Sequence, residues 1–330
     1  MRRLATACCA SLLIYCVLFA CVLDRPLSLG SLRARIEAGL ARGEAIGGPK
    51  LVILAGSNGP YSHRCETIEP MIGRPCVNAG IAVGIGLDYL FARWKPVLHP
   101  GDIVYMPLEE AQYVRSRETG ALGPDAAIML RHDRATLWEM PLCRQAAALF
   151  ASGLRGGIMS LIETALVAEG FHDPREAATG SYNARGDHVG HTSRLGSISQ
   201  PVLAAMTPFH PAASEIRDGY GAALVRDFVL WADRHGVRVI GGLPTGFDDS
   251  PIGEDSVAAI RAVYRDGGFL ELPNRSRYPR SAFFDTADHL NEEAQIRHSA
   301  AVGRALADMA VSRGYAYEGA GHRDSDARTH

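Results

Sequence analysis

Three short stretches carry residues that could do acyl chemistry. The first, Leu51-Val52-Ile53-Leu54-Ala55-Gly56-Ser57-Asn58-Gly59, is an apolar run that closes in small polar residues. The second is Val77-Asn78-Ala79-Gly80, and the third is Phe284-Asp285-Thr286-Ala287-Asp288-His289-Leu290-Asn291. A serine hydroxyl becomes a nucleophile when a histidine takes its proton and a carboxylate fixes that histidine's tautomer. Ser57 and His289 are the candidates for the first two roles. Asp285 is the choice for the third, with Asp288 adjacent. Charge developing on an attacked carbonyl needs preorganised donors. The backbone N–H groups of Ser57 and Gly80 and the amides of Asn58 and Asn78 are candidates. Each residue alone has a blander role: a serine after a strand makes a turn or caps a helix, and His289 could cap the last helix. Their placement at three strand ends points to chemistry.

The flanking pattern supplies the elements that would hold these residues. Continuous aliphatic runs read as strands covered on both faces. The spacing predicts strands at 50–55, 75–80, 103–108, 237–244 and 282–284. Helices are predicted at 29–43, 62–72 with Ser62 as N-cap, 84–94, 215–234, 256–264 and 291–313. Strand–helix alternation at this spacing argues for βαβ units, an α/β chain with a parallel five-stranded sheet between helical layers. In open sheets of this kind ligands bind beyond the carboxyl ends of the strands, where Ser57 would sit. Residues 115–212 break the alternation: 136–169 has helical stretches rich in Ala and Leu, and 171–211 reads as a long loop. This region is expected to be an insertion within one domain spanning 49–318. A polar tail, 319–330, is expected to be disordered.

The chain has 330 residues, 47% hydrophobic content and net charge −2. That is enough to bury a full core, and it gives no basic stripe for nucleic acid, so no nucleic-acid partner is expected. Arg2 and Arg3 precede an apolar run from Leu4 to Leu23, closed by Asp24, Arg25 and Pro26. A run of that length fits a bilayer-spanning helix, and no Ala-x-Ala cleavage site follows it. Residues 1–27 are therefore expected to be a signal anchor and 28–48 a linker helix. The basic end would stay in the cytoplasm and the body would face the extracytoplasmic side of the inner membrane. Leu18-Phe19-Ala20-Cys21 is a poorer match to a lipoprotein cleavage box, because of its Phe. Four of the seven cysteines lie in this segment; Cys65, Cys76 and Cys143 remain. In an oxidising compartment two of these could pair, with Cys65 and Cys76 closest, although their odd number argues against a disulfide framework.

With these blocks in place, the chain resembles the SGNH/GDSL hydrolase superfamily over about 50–110 and 236–310. It is most similar to the membrane-anchored branch that modifies cell-surface polymers with acyl groups. The resemblance implies a three-layer, flavodoxin-like α/β/α fold in which Ser57 attacks an ester, His289 is the base and Gly80 helps hold the oxyanion. It implies no cofactor, an acyl-ester or saccharide substrate, and association with a polysaccharide-modification complex. Where the family has Gly-x-Asn-Asp after the third strand, this chain has Pro107-Leu108-Glu109-Glu110. A carboxylate cannot donate to an oxyanion unless it is protonated. Glu109 and Glu110 therefore read either as a solvated loop edge or as pocket acids.

Two other motifs carry weaker signals. Asp187-His188-x-x-His191 has two imidazoles three apart, but no third and fourth metal ligand at suitable spacing. It reads as a polar loop, or as a loop lining the groove over Ser57. Gly80-x-x-x-Gly84-x-Gly86 lacks dinucleotide-fingerprint spacing. The expectation is thus a serine esterase or O-acetyltransferase on an extracytoplasmic saccharide or envelope polymer. A catalytically silent binding or scaffold subunit of the same fold is the alternative.

Overall fold

In a computed structural model the protein is described over residues 1–22, 28–116, 123–148, 154–171, 181–264 and 268–311. The expected disordered tail lies outside these residues. The centre is a five-stranded, all-parallel sheet. Its strands are β1 (Leu51–Ile53), β2 (Cys76–Asn78), β3 (Ile103–Met106), β4 (Arg238–Gly242) and, after a short β5 (Gly246–Phe247), β6 (Phe269–Leu270). Their order is β2-β1-β3-β4-β6, with β5 paired in parallel to β7 (Arg277–Tyr278) as a separate ribbon. The chain reverses its direction of winding between β1 and β3, which is where doubly wound sheets open a ligand crevice.

Alternation along the strands divides the core. Leu51 and Ile53 of β1 pack with Ile103 and Tyr105 of β3 against Cys65 and Ile68 of α4 (Cys65–Ile72) and Val302 and Leu306 of α16 (Glu292–Val311). Val52 and Leu54 point the other way, into a larger cluster. That cluster takes Leu90 and Phe91 from α5 (Leu87–Trp94), Val225 and Phe228 from α14 (Tyr220–Arg234), Ile260 from α15 (Glu254–Val263) and Ile36 from α2 (Ser28–Ala45). Helices therefore cover both faces, and this is why the strands read as unbroken apolar runs rather than alternating ones.

The expected fifth strand at 282–284 is corrected. A 3₁₀ turn covers Arg280–Ala282, and Phe283 makes only an isolated antiparallel bridge to Leu290. The edge position belongs to Phe269–Leu270, which follows Gly268 at φ +119°. The predicted helix 62–72 is also corrected. Ser62 closes the short α3 (Asn58–Ser62), His63 is extended, and α4 begins at Cys65. Likewise the expected helix 215–234 divides at Gly219 into α13 (Ala213–Asp218) and α14. Cys65 and Cys76 form a disulfide that staples α4 to the amino end of β2.

Between β3 and β4 lie α6 (Glu110–Val114), α7 (Pro124–His132), α8 (Arg134–Glu139), α9 (Leu142–Ala148) and α10 (Leu154–Ala168). The span expected to be a long loop holds two short helices, α11 (Ser193–Gly196) and α12 (Gln200–Ala205). At the amino terminus α1 (Arg2–Val22) is a helix whose Leu4, Leu12, Leu13, Ile14, Val17 and Leu18 are exposed. Among the described residues no helix is long and apolar enough to cross a membrane. The side chains of 19–29, and with them the end of the apolar run, lie outside those residues.

Candidate active site

The residues singled out in the sequence gather at the carboxyl edge of the sheet, on both sides of the β1/β3 opening. Ser57 follows β1 and starts α3. Its hydroxyl donates to Glu109 Oε1 at 3.3 Å, and the Asn58 N–H donates to the same oxygen at 3.2 Å. Glu109 follows β3, where it caps α6 and its own N–H donates to Gln112 Oε1. One hydrogen-bond system therefore spans the opening from β1 to β3. Gly56 makes it possible, because a Cβ there would lie 2.5 Å from Glu109 Oε1.

Opposite this pair, His289 Nδ1 stands 2.6 Å from Asp285 Oδ1. A carboxylate only accepts, so Nδ1 carries the proton and Nε2 is the basic nitrogen. Burial alone would raise the Asp285 pKa, but the His289 hydrogen bond outweighs it and holds the carboxyl below its ordinary value. Asp285 is thus the partner, one step further back than the family spacing, because the turn between the 3₁₀ segment and α16 brings positions four apart together. Asp288 faces elsewhere. Its carboxyl lines the cleft with Glu109, and burial raises its pKa against the opposing pull of His289 and Arg277.

Glu109 is buried, and burial followed by the nearby Asp288 charge pushes its pKa up to about 8. At neutral pH the side chain is therefore largely a neutral acid. Oε1 already accepts two hydrogen bonds, which leaves Oε2 to carry the proton and makes Glu109 a donor. Glu110 lies beside it, raised by burial and partly offset by His210, whose Nδ1 is 3.0 Å from Glu110 Oε1. Both glutamates line an open cleft of about 210 Å³ with Phe209, Thr245, Arg277 and Asp288. The pocket position of this pair was one of the two readings the sequence left open. His210 and Arg277 were not singled out as site residues, being isolated polar residues far apart in the chain that only the fold collects; Asp288 was visible beside His289, but only as the neighbour of Asp285.

The other expected donors are engaged in holding the backbone. Asn58 Nδ2 donates to Pro107 O, while its buried Oδ1 has no partner among the described residues. Asn78 Nδ2 reaches Gly59 O and His63 O. The Gly80 N–H donates to Asn78 Oδ1 at 3.3 Å, and a Cβ on Gly80 would lie 2.7 Å from Gly59 Cα. Among the described residues no hydrogen bond joins Ser57 to His289.

Tyr61, one turn after Ser57, is stacked between His289 and His188 with ring centroids 4.1 Å from each. The loop from 181 to 192 thus covers α3 and flanks the histidine. Burial and His191 lower the His188 pKa to about 3, so that ring is neutral. Asp187 accepts from the Cys65 and Glu66 N–H groups and so caps α4, which gives the Asp-His-x-x-His motif a structural task. Beneath α3 a second imidazole pair is fully buried: His63 Nε2 lies 3.2 Å from His298 Nε2, and burial lowers the His63 pKa to about 4. Compared with known proteins, the chain matches no family model and no curated protein sequence.

Proposed function

We propose that the protein is an SGNH-type serine hydrolase, an esterase or O-acyltransferase working on acyl esters of an extracytoplasmic saccharide or envelope polymer. The observation that carries this reading is the 2.6 Å Asp285–His289 pair at the carboxyl edge of the sheet that presents Ser57. In the reaction, Ser57 Oγ leaves Glu109 and attacks the acyl carbonyl while His289 Nε2 takes its proton. The alcohol leaves with that proton, and water or a sugar hydroxyl then resolves the acyl-enzyme by the reverse transfer. The Asn58 N–H and the protonated Glu109 supply donors where the family pattern has an asparagine.

Anchoring by α1 is part of the same proposal. It is supported by the apolar run from Leu4 to Leu23 behind Arg2 and Arg3, and by the exposed apolar side chains of Leu4, Leu12, Leu13, Ile14, Val17 and Leu18. The Cys65–Cys76 disulfide supports an oxidising compartment.

The test is labelling of the full-length, detergent-solubilised protein with a fluorophosphonate probe. Labelling should fall by about 10³-fold or more in Ser57→Ala and in His289→Ala. Labelling that persists in Ser57→Ala overturns the nucleophile assignment. The second reading, a silent binding subunit, is favoured by the Ser57 hydroxyl being bonded to Glu109 and not to His289. It predicts no labelling of the native protein, with binding of acetylated oligosaccharides unchanged in Ser57→Ala.

A further inference from the structure

The inserted helix α10 presents an apolar face that the interior does not use. Ile158, Met159, Leu161, Ile162 and Leu166 are all roughly half exposed, and Phe171 just beyond is 63% exposed. At 100° per residue these helical positions fall on one arc, with the half-buried Glu163 outside it. A single exposed leucine needs no explanation, but a contiguous helical face of this kind marks an interaction surface.

What covers it is indicated by its neighbour. α10 packs against α1. From Leu4 to Leu18 the α1 side chains are mostly apolar and, apart from the half-buried Tyr15, exposed, a pattern that suits a helix in hydrocarbon with one flank against a neighbour. A helix lying against a membrane helix shares its surroundings. α10 has 15 residues, about 22 Å at 1.5 Å per residue, short of the roughly 30 Å hydrocarbon core. The chain returns to the body at both ends. Ala148 before it is in the main core, and His188 after it stacks on Tyr61 beside His289. A segment that leaves and re-enters on one side cannot span.

We infer that α10 is a second membrane-contacting element, seated in the outer lipid leaflet beside α1. Two attachments, one spanning and one lying at the interface, fix the rotation of the body about the anchor. Residues 181–192, further along the chain, cover α3. The bilayer thus becomes part of what positions the site, and a membrane-borne substrate becomes the one it can reach. This rests on α1 being the anchor.

The test uses the full-length chain with Cys8, Cys9, Cys16, Cys21 and Cys143 replaced by Ala. It is reconstituted in vesicles of phosphatidylethanolamine and phosphatidylglycerol. A polarity-sensitive fluorophore is attached at Ile162→Cys or Ile158→Cys in α10, at Leu13→Cys in α1, or at Arg234→Cys on the exposed end of α14. Doxyl-labelled lipid should quench the two α10 probes about twofold or more, and aqueous iodide should leave them unaffected. The Arg234→Cys probe should behave in the opposite way. Quenching of both α10 probes by iodide and not by lipid overturns the inference. Protection from both quenchers, with energy transfer between labelled copies, assigns the face to a second copy and also overturns it. A Leu13→Cys probe untouched by lipid sinks the anchor itself, whereas lipid quenching at Leu13 alone sinks only the α10 claim.

Discussion

The two ends of the sheet bury charge in opposite ways. At the amino end Lys50 and Asp102 form a completely buried pair with Nζ 2.7 Å from Oδ2. Asp102 also accepts the backbone N–H groups of Lys50 and His99. Charge and lone pairs are matched, so the pair is structural. At the carboxyl end Glu109 is buried and Asp288 half-buried; burial raises both pKa values, and the Asp288 charge raises that of Glu109 further. No ion pair joins either to a cation among the described residues. Burial by itself therefore does not mark a working site. Burial beside a like charge differs in kind, because it holds a proton on Glu109 near neutral pH, as an acid–base group would need.

The comparison breaks most visibly by removing one acid from each end. Asp102→Ala leaves an ammonium alone in the interior and should cost about 3–5 kcal/mol of stability, read by urea denaturation. Asp288→Asn relieves a repulsion and should change stability by less than about 1 kcal/mol while lowering esterase activity. Equal losses of stability would show that the two ends are both structural. The disulfide reinforces the amino end. Cys65→Ser opens an 11-residue separation and should cost about 3 kcal/mol in oxidising buffer, with no difference from the native chain once both are reduced. The smallest change at neutral pH is expected from Glu109→Gln, which keeps a neutral donor and should stay within about tenfold of the native rate.

The value of Glu109→Gln lies in its pH dependence. The Glu109 pKa is raised in the folded state, so the fold favours the neutral acid. Stability from this group is complete below the ordinary glutamic range, falls as pH rises, and levels off above about 8. The native protein should therefore lose stability between about pH 4.5 and about 8, and any esterase rate should fall as pH passes about 8; Glu109→Gln should lose neither over those intervals. Urea midpoints and a pH–rate profile of the two proteins measure this. Parallel profiles would show that Glu109 does not carry the proton.

Much of this was legible in the residues because it is local. The strand and turn ending at Ser57, the strand ending near Gly80 and the Asp/His pair before the last helix are each written in a few adjacent positions. The paired glutamates were visible, but which of the two readings applied depended on β3 lying beside β1. The fifth strand was missed because its ladder has two residues, Phe269 and Leu270, and is fixed by the neighbouring β4 rather than by a pattern of its own. Ala282-Phe283-Phe284 looked more strand-like and is held as a turn by Phe283 bridging Leu290. The start of α4 was misplaced for a similar reason. Its cap is Asp187, more than a hundred residues away, while Ser62 bonds instead to Asp288 O and Thr245.

That remote cap makes the inserted region less modular than its place in the chain suggests. Asp187 holds the first turn of α4, and Asn78 Nδ2 also reaches its carboxylate. Trimming the chain to a minimal sheet body by excising 115–212 would remove a foundation of the helix that follows Ser57 and α3. A cut confined to 123–171 would spare it. The segment from 181 onward belongs, by its bonds, to the sheet body, so a boundary drawn on physical contacts falls upstream of Asn183.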